Sequence, residues 1–143
     1  MESLFTLRPA REDDLPTINA FAAVEGMADL PSIDRVTVAE SEAGDVVGFV
    51  RIAAEEEGVG HVNPIVVYST WRGYGVGRAL MDDALARYGE LRLVSRGSSL
   101  GFYRALGFHE VPWDQIGPVI ADDCNGCDIH DECGPTPVAR TRD

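Results

Sequence analysis

From His61 to Tyr88 the chain reads HVNPIVVYST, WRGYGVGRAL, MDDALARY, and this stretch leaves few folds open. Ile65, Val66 and Val67 are consecutive β-branched residues, the composition of a buried strand. Val76, Leu80, Ala84 and Tyr88 recur at four-residue spacing, which predicts a helix with one apolar stripe. Between strand and helix, Gly73, Gly75 and Gly77 alternate with Tyr74 and Val76, and Arg72 and Arg78 flank them. Glycines at alternate positions let the backbone turn sharply and expose its N–H groups. The helix start adds unpaired N–H groups and the positive end of its dipole. Together these parts make an anion site suited to a pyrophosphate. The bland alternative is a tight β-to-α connection, but a short loop has no need of three glycines between two arginines.

Two familiar phosphate motifs do not fit. A nucleotide P-loop ends in Gly-Lys-Ser/Thr, whereas this loop ends Gly77-Arg78-Ala79 and the chain has no lysine. The dinucleotide fingerprint is G-x-G-x-x-G in a first βαβ unit, with an acidic residue about 20 positions on. Here the glycines are spaced G-x-G-x-G.

A chain of 143 residues, 45% hydrophobic and 25% charged, is an ordinary globule with enough core for one domain, 1–143. No run approaches the ~18 apolar residues of a membrane span. Glu2 and then Arg8 open the chain without a signal peptide's basic start and apolar core, which predicts a cytoplasmic protein. The net charge of −12 argues against nucleic acid or an anionic membrane as partner. Any phosphate must therefore be held by local positive potential. All 12 basic residues are arginines, which bind phosphate bidentately as lysine does not.

Elsewhere the pattern alternates strands and helices. Residues 3–8 read as a strand. Residues 11–16 read as a helix start capped by an aspartate, with Pro16 in the first turn and Leu15, Ile18 and Ala22 as the buried stripe. Residues 24–34 are ambiguous, since Pro31 breaks any helix there. Residues 36–41 and 46–53 form a hairpin, and a charged turn at Glu55, Glu56 and Glu57 leads into the His61 strand, completing a three-stranded antiparallel meander. Those three glutamates read as a solvated loop, with a patch attracting a cationic acceptor as the alternative. Residues 91–94 form a strand, Ser98 or Ser99 opens a helix carrying Tyr103, Gly107 closes it, and 108–111 form another strand.

The segment Val67-Tyr68-Ser69-Thr70-Trp71-Arg72 followed by Gly75 and Gly77 resembles the acyl-CoA signature of the GNAT superfamily of N-acetyltransferases, V-x-P-x-x-R-x-x-G-x-G, with Ser69 in place of the proline. Phe102-Tyr103-Arg104-Ala105-Leu106-Gly107-Phe108 resembles the same family's F-Y-x-x-x-G-F. The resemblance covers roughly residues 3–112 and implies an α/β (α+β) fold: a central mixed, mostly antiparallel sheet of about six to seven strands flanked by about four helices. It implies a second short helix within 24–34 bordering the acceptor site. It further implies direct transfer of an acetyl group from acetyl-CoA to a primary amine of a small molecule or amino acid. Backbone groups of Ile65, Val66 and Val67 would hold the pantetheine and the thioester carbonyl, and Arg72, Gly73, Tyr74, Gly75, Val76, Gly77 and Arg78 the pyrophosphate. Tyr103 falls at the position of the general acid and His61 near that of the general base, with Asn63 on the same face. A core aromatic and a partly exposed polar strand residue are the structural alternatives for Tyr103 and His61. Acetyl-CoA and an amine acceptor are the partners implied, and a homodimer is left open.

Cys124, Cys127, His130 and Cys133 lie within ten residues and could in principle close a zinc tetrahedron. Against this, His130 and Cys133 are cramped and the segment is strongly acidic; free or redox-labile thiols are the alternative. The tail resembles a Cys-rich insert, here about 122–134, that precedes the last strand in a bacterial subgroup described as N-acetylglutamate synthase-like; residues 136–141 would be that strand. A non-catalytic acyl-CoA-binding module with a metal- or redox-responsive tail, and a protein N-acetyltransferase, are the competing functions.

Overall fold

The computed structural model describes residues 4–25, 27, 29–95, 100–115 and 136–141. Seven strands form one sheet: β1 (Phe5–Pro9), β2 (Val36–Ser41), β3 (Val46–Glu56), β4 (Val59–Val67), β5 (Glu90–Ser95), β6 (His109–Glu110) and β7 (Thr136–Thr141), in the order β1-β2-β3-β4-β5-β7-β6. The β4–β5 pair is parallel, while β1–β2, β2–β3, β5–β7 and β6–β7 are antiparallel. The helices among the described residues are α1 (Leu15–Val24), α2 (Val76–Arg87) and α3 (Leu100–Ala105), three rather than the expected four or so. None is long and apolar enough to cross a membrane. Packing groups the chain into two compact units, Met1–Ile52 with Pro64–Asp83, and Ala53–Asn63 with Ala84–Asp143.

In the first unit, β1 and β2 pair from Phe5↔Ser41 to Pro9↔Thr37. Behind β1 comes a 3-10 turn at Glu12–Asp14 and then α1, with proline in its first turn. Asp14 stands at the cap position but does not cap the helix with its side chain. Its buried carboxylate turns back instead, accepting from the Arg11 N–H at 2.7 Å and from both terminal nitrogens of Arg8 at 2.7 and 3.0 Å. Arg8 also pairs with Glu40. The Arg8 guanidinium holds the Asp14 carboxyl below the usual carboxylate range. A fork-to-fork pair is a stronger use of the carboxylate than one bond to a helix N–H.

Ile18 and Ala22 of α1 pack with Leu30, Val36, Val38, Phe49 and Val66 in the core of this unit. Residues 29–35 contain no helix. Pro31 removes a donor there, and the Leu30 N–H is taken by the Asn19 side chain at 2.8 Å, with Leu30 buried in the core. Gly48 matters for the site. A Cβ there would lie 3.0 Å from Val76 Cγ1 and 3.1 Å from the Val66 carbonyl, so its absence lets the start of α2 close onto β3 and β4.

In the second unit, the turn after β3 is Glu57–Gly58, with φ of 52° and 83°. Both residues are left-handed, the requirement of a two-residue hairpin that follows strand twist. Glu55 and Glu56 therefore belong to β3 rather than to a loop. β4 then runs beside β5 from Val59↔Glu90 to His61↔Arg92, where pairing stops, although β5 continues to Ser95 against β7. Gly60 faces Tyr88 and Leu91, with the Tyr88 ring 3.1 Å from where a Cβ would sit. Leu91, Leu93, Val138 and Ala139 are buried.

Candidate active site

The glycine turn and the helix after it are built as the sequence predicts. Residues 72–75 form a turn and α2 starts at Val76. Gly73 and Gly75 have φ of 90° and 82°, and a Cβ on either would meet nothing within 4 Å. Among the described residues no neighbour demands that they be small. What they supply is a backbone that side-chain-bearing residues avoid, and open space in front of it. The first intrahelical bond runs from the Ala79 N–H to the Gly75 carbonyl at 3.0 Å. N–H groups ahead of it, those of Val76 and Gly77 included, have no intrahelical acceptor and lie at the positive end of a twelve-residue helix. Such a geometry can hold a diphosphate.

Helix α1 grips the approach to this turn at two points one helical turn apart. Phe21 stacks on Tyr68 with ring centroids 5.1 Å apart. Four residues on, the Glu25 carboxylate accepts from Arg72 Nη2 at 2.6 Å, while Arg72 Nε lies 3.4 Å from the Val67 carbonyl. Both members of this ion pair are substantially solvent-exposed. Its net worth is about 0–1 kcal/mol, so it orients Arg72 more than it stabilises the fold. Trp71 and Tyr74 add a second aromatic pair, centroids 5.5 Å apart, with Tyr74 exposed.

Tyr103, on α3 in the second unit, belongs to a helix-closing device. Gly107 has φ of 93°. Its N–H donates to the Arg104 carbonyl at 3.0 Å, and the Phe108 N–H donates to the Tyr103 carbonyl at 3.0 Å. These are the two bonds of a Schellman motif, in which the residues at Tyr103 and Phe108 also make the accompanying apolar contact. Their rings meet edge-on at 5.8 Å, and Phe102 flanks Tyr103 at 5.2 Å. Tyr103 itself is half-buried.

His61 is buried, 3% exposed, which corrects the expectation of a partly exposed strand residue. Its place is on β4 at the point where the parallel pairing with β5 ends. Burial first, and then the Arg92 charge, push its pKa below 6.5; Glu56 and Glu90 oppose this more weakly. Among the described residues its buried Nδ1 has no hydrogen-bond partner, and neither has the Ser95 hydroxyl on β5. Buried polar atoms are nearly always paired, so these two stand out among the described residues of the unit.

Residues 32–110 match the family model for an acetyltransferase (GNAT) domain, more than half of the chain. The chain belongs to the GNAT acetyltransferase family. As a GNAT domain it is an acyl-CoA-dependent acetyltransferase. No curated protein sequence matches it. Among solved structures, Rv2747 from Mycobacterium tuberculosis in complex with CoA and NLQ shares 17% identity at a TM-score of 0.75, over 96% of this chain and 99% of that one. The N-acetylglutamate synthase of Neisseria gonorrhoeae, complexed with coenzyme A and N-acetyl-glutamate, shares 18% identity at 0.77, over 99% of this chain but 36% of its own. Ard1 from Thermoplasma volcanium shares 20% identity at 0.74, over 96% and 97%. At these identities the likeness is one of fold.

The residues expected to bind acyl-CoA, Ile65 to Val67 and Arg72 to Arg78, lie within the first unit, whereas His61 and Tyr103 lie in the second. The grip of Phe21 and Glu25 on the signature has no signal in the sequence, because its contacts span 47 residues in each case. Cys124, Cys127, His130 and Cys133, and the insert at about 122–134, fall outside the described residues. Among the described residues no group of three or more His, Cys, Asp or Glu could hold a metal ion.

Proposed function

We propose that this GNAT domain transfers an acetyl group from acetyl-CoA to the primary amine of a small molecule, an amino acid in particular, by direct attack in a ternary complex. The observation that carries the reading is the open turn at Gly73 and Gly75 leading into the start of α2. Its N–H groups, with Arg72 and Arg78, would hold the pyrophosphate of acetyl-CoA. Backbone groups of Ile65, Val66 and Val67 would take the pantetheine amides and polarise the thioester carbonyl, stabilising the oxyanion as it forms. A structural neighbour that is an N-acetylglutamate synthase, complexed with coenzyme A and N-acetyl-glutamate, supports an amino-acid acceptor.

In the transfer a C–N bond forms and the C–S bond breaks, so one proton must leave the amine and one must reach the departing thiolate. His61 would take the first, through water. Its depressed pKa keeps the imidazole neutral and ready to accept at neutral pH, and its unpartnered Nδ1 supports a role beyond packing. Tyr103 would give the second. A phenol of pKa ~10 facing a thiol of ~8.5 must act by close placement rather than acidity. No covalent enzyme intermediate is required. Thiol release from acetyl-CoA over a panel of amines tests the reading: turnover with small amines is expected. Saturable acetyl-CoA binding with no turnover on any amine would leave a binding module instead.

A further inference from the structure

Tyr74 sits between Gly73 and Gly75, at the centre of the turn. Turn positions usually go to glycine, asparagine, aspartate or serine, which supply backbone freedom or local hydrogen bonds. A tyrosine supplies neither. Tyr74 is 56% exposed, the most exposed large aromatic among the described residues. Its ring is nevertheless held in place. Trp71, half-buried at the end of the 3-10 turn Ser69–Trp71, lies against it with centroids 5.5 Å apart and planes inclined by 52°. Trp71 steadies the Tyr74 ring and still leaves more than half of the residue open to solvent. Tyr68, also exposed, differs in that it is already stacked on Phe21 at 5.1 Å. The Tyr74 platform belongs to the same turn that offers its N–H groups to a diphosphate, in which a Cβ on Gly73 or Gly75 would meet nothing within 4 Å.

A diphosphate seated on the turn has two ends. In an acyl-CoA one end carries the pantetheine arm, which would run back along β4 towards Ile65, Val66 and Val67. The other carries adenosine, whose base is only a ribose away from the phosphates and must settle near the turn itself. Stacking suits that base. Every nucleobase has a π-face, and an aromatic side chain holds it without using charge. That matters in a protein with a net charge of −12, whose overall field repels a polyanion. The inclination of the two rings assigns their parts. A planar base cannot lie flat on both at 52°, so a base stacked on exposed Tyr74 meets Trp71 at an angle. Tyr74 is the stacking face, and Trp71 positions it.

We propose that Tyr74, steadied by Trp71, is a stacking platform for the adenine base of the acyl-CoA. The proposal rests on the reading of the turn as the diphosphate site, and its test separates the two. Calorimetric titration is run with acetyl-dephospho-CoA and with acetyl-pantetheine 4′-diphosphate, which keeps the thioester, the arm and the diphosphate but lacks the adenosine. Base–aromatic stacking should make the first bind about 5- to 100-fold tighter. Y74A should erase that preference by weakening acetyl-dephospho-CoA alone. Y74F, which keeps the ring, should retain it, and W71A should lose part of it. Thermal melting establishes that each variant is folded. Equal affinity of the wild type for the two compounds would overturn the platform. So would a folded Y74A that keeps the preference or weakens both compounds alike, or a Y74F as weak as Y74A. If neither compound binds saturably, the diphosphate reading fails, and the platform is judged by fluorescence. Trp71 and Trp113 are the chain's two tryptophans, so W113F reports on Trp71 alone during titration with adenosine 5′-diphosphate. Saturable quenching that is lost when Y74A is added to W113F supports the platform; no saturable quenching, or quenching that survives Y74A, overturns it.

Discussion

The turn at residues 72–77 and the helix end at 103–108 are both short motifs built on glycine, and the glycines answer different needs. Around Gly73 and Gly75 a Cβ would meet nothing within 4 Å, so no packing inside the chain accounts for them. At Gly107 the account is complete within the chain: φ of 93°, two Schellman hydrogen bonds, and the Arg140 side chain 3.4 Å from where a Cβ would lie. All three glycines are required by their left-handed φ, but open space lies in front of the first motif and a packed side chain in front of the second. The match of Phe102-Tyr103-x-x-x-Gly107-Phe108 to its family pattern is thus partly a match of helix-closing chemistry. It is weaker warrant for a catalytic tyrosine than the turn is for an anion.

The contrast can be broken most sharply at Tyr103. Tyr103→Phe keeps the ring contact with Phe108 and removes only the hydroxyl. If the phenol is the general acid, kcat falls about 10²- to 10⁴-fold, with melting temperature and acetyl-CoA affinity unchanged. Wild-type turnover would reduce the motif to a helix cap.

Next come the glycines themselves. Gly75→Val should weaken acetyl-CoA binding by about 100-fold, since the phosphate-facing N–H groups are re-aimed. Forcing a β-branched residue to positive φ also costs about 1–3 kcal/mol of stability. Gly107→Val should show the stability loss alone. Calorimetric titration with acetyl-CoA and urea unfolding of both variants separate the two effects. Equal loss of affinity in both would erase the distinction drawn between the motifs.

His61 sharpens the comparison from the second unit. Its pKa is depressed in the folded state, so the unfolded chain takes up the proton first as pH falls. Stability from this site is therefore full above 6.5 and declines as pH drops from there through the lower folded value. Urea unfolding between pH 8 and pH 5 should show this decline, and His61→Phe should remove it. An identical pH dependence in the variant would mean the imidazole is not held neutral by burial.

The smallest effect is expected at Glu25. Its pair with Arg72 is exposed and adds at most about 1 kcal/mol. Glu25→Gln should leave the melting temperature nearly unaltered and raise acetyl-CoA affinity by a few-fold, because Arg72 no longer has a carboxylate to leave. A large loss of affinity would instead make Glu25 essential for holding Arg72 in place.

Much of the fold was legible in residue pattern. β2 occupies the expected residues 36–41, a β-branched run bounded by turn residues, and β7 the residues 136–141 that the family resemblance implied. The buried stripe of α2 holds at Val76, Leu80 and Ala84. Local signals failed where a distant partner decided the outcome. Asp14 looks like a helix cap in isolation, but Arg8 claims it. The expected helix is absent from residues 29–35, where Asn19 and the core draw in Leu30. His61 reads as a polar strand residue, and only the parallel neighbour β5 and the packing around it bury the ring. The turn was legible because its cause is local backbone geometry.

The claim on which the rest depends is that the turn at residues 72–77 holds the diphosphate of an acyl-CoA. Calorimetric titration of the protein with acetyl-CoA, and in parallel with acetyl-pantetheine, which carries the thioester and pantetheine without the diphosphate, tests it most directly. One saturable site for acetyl-CoA is expected, with acetyl-pantetheine at least about 100-fold weaker, the worth of two or so charge-assisted hydrogen bonds. Equal affinity for the two, or no saturable binding of acetyl-CoA by the folded protein, would contradict it.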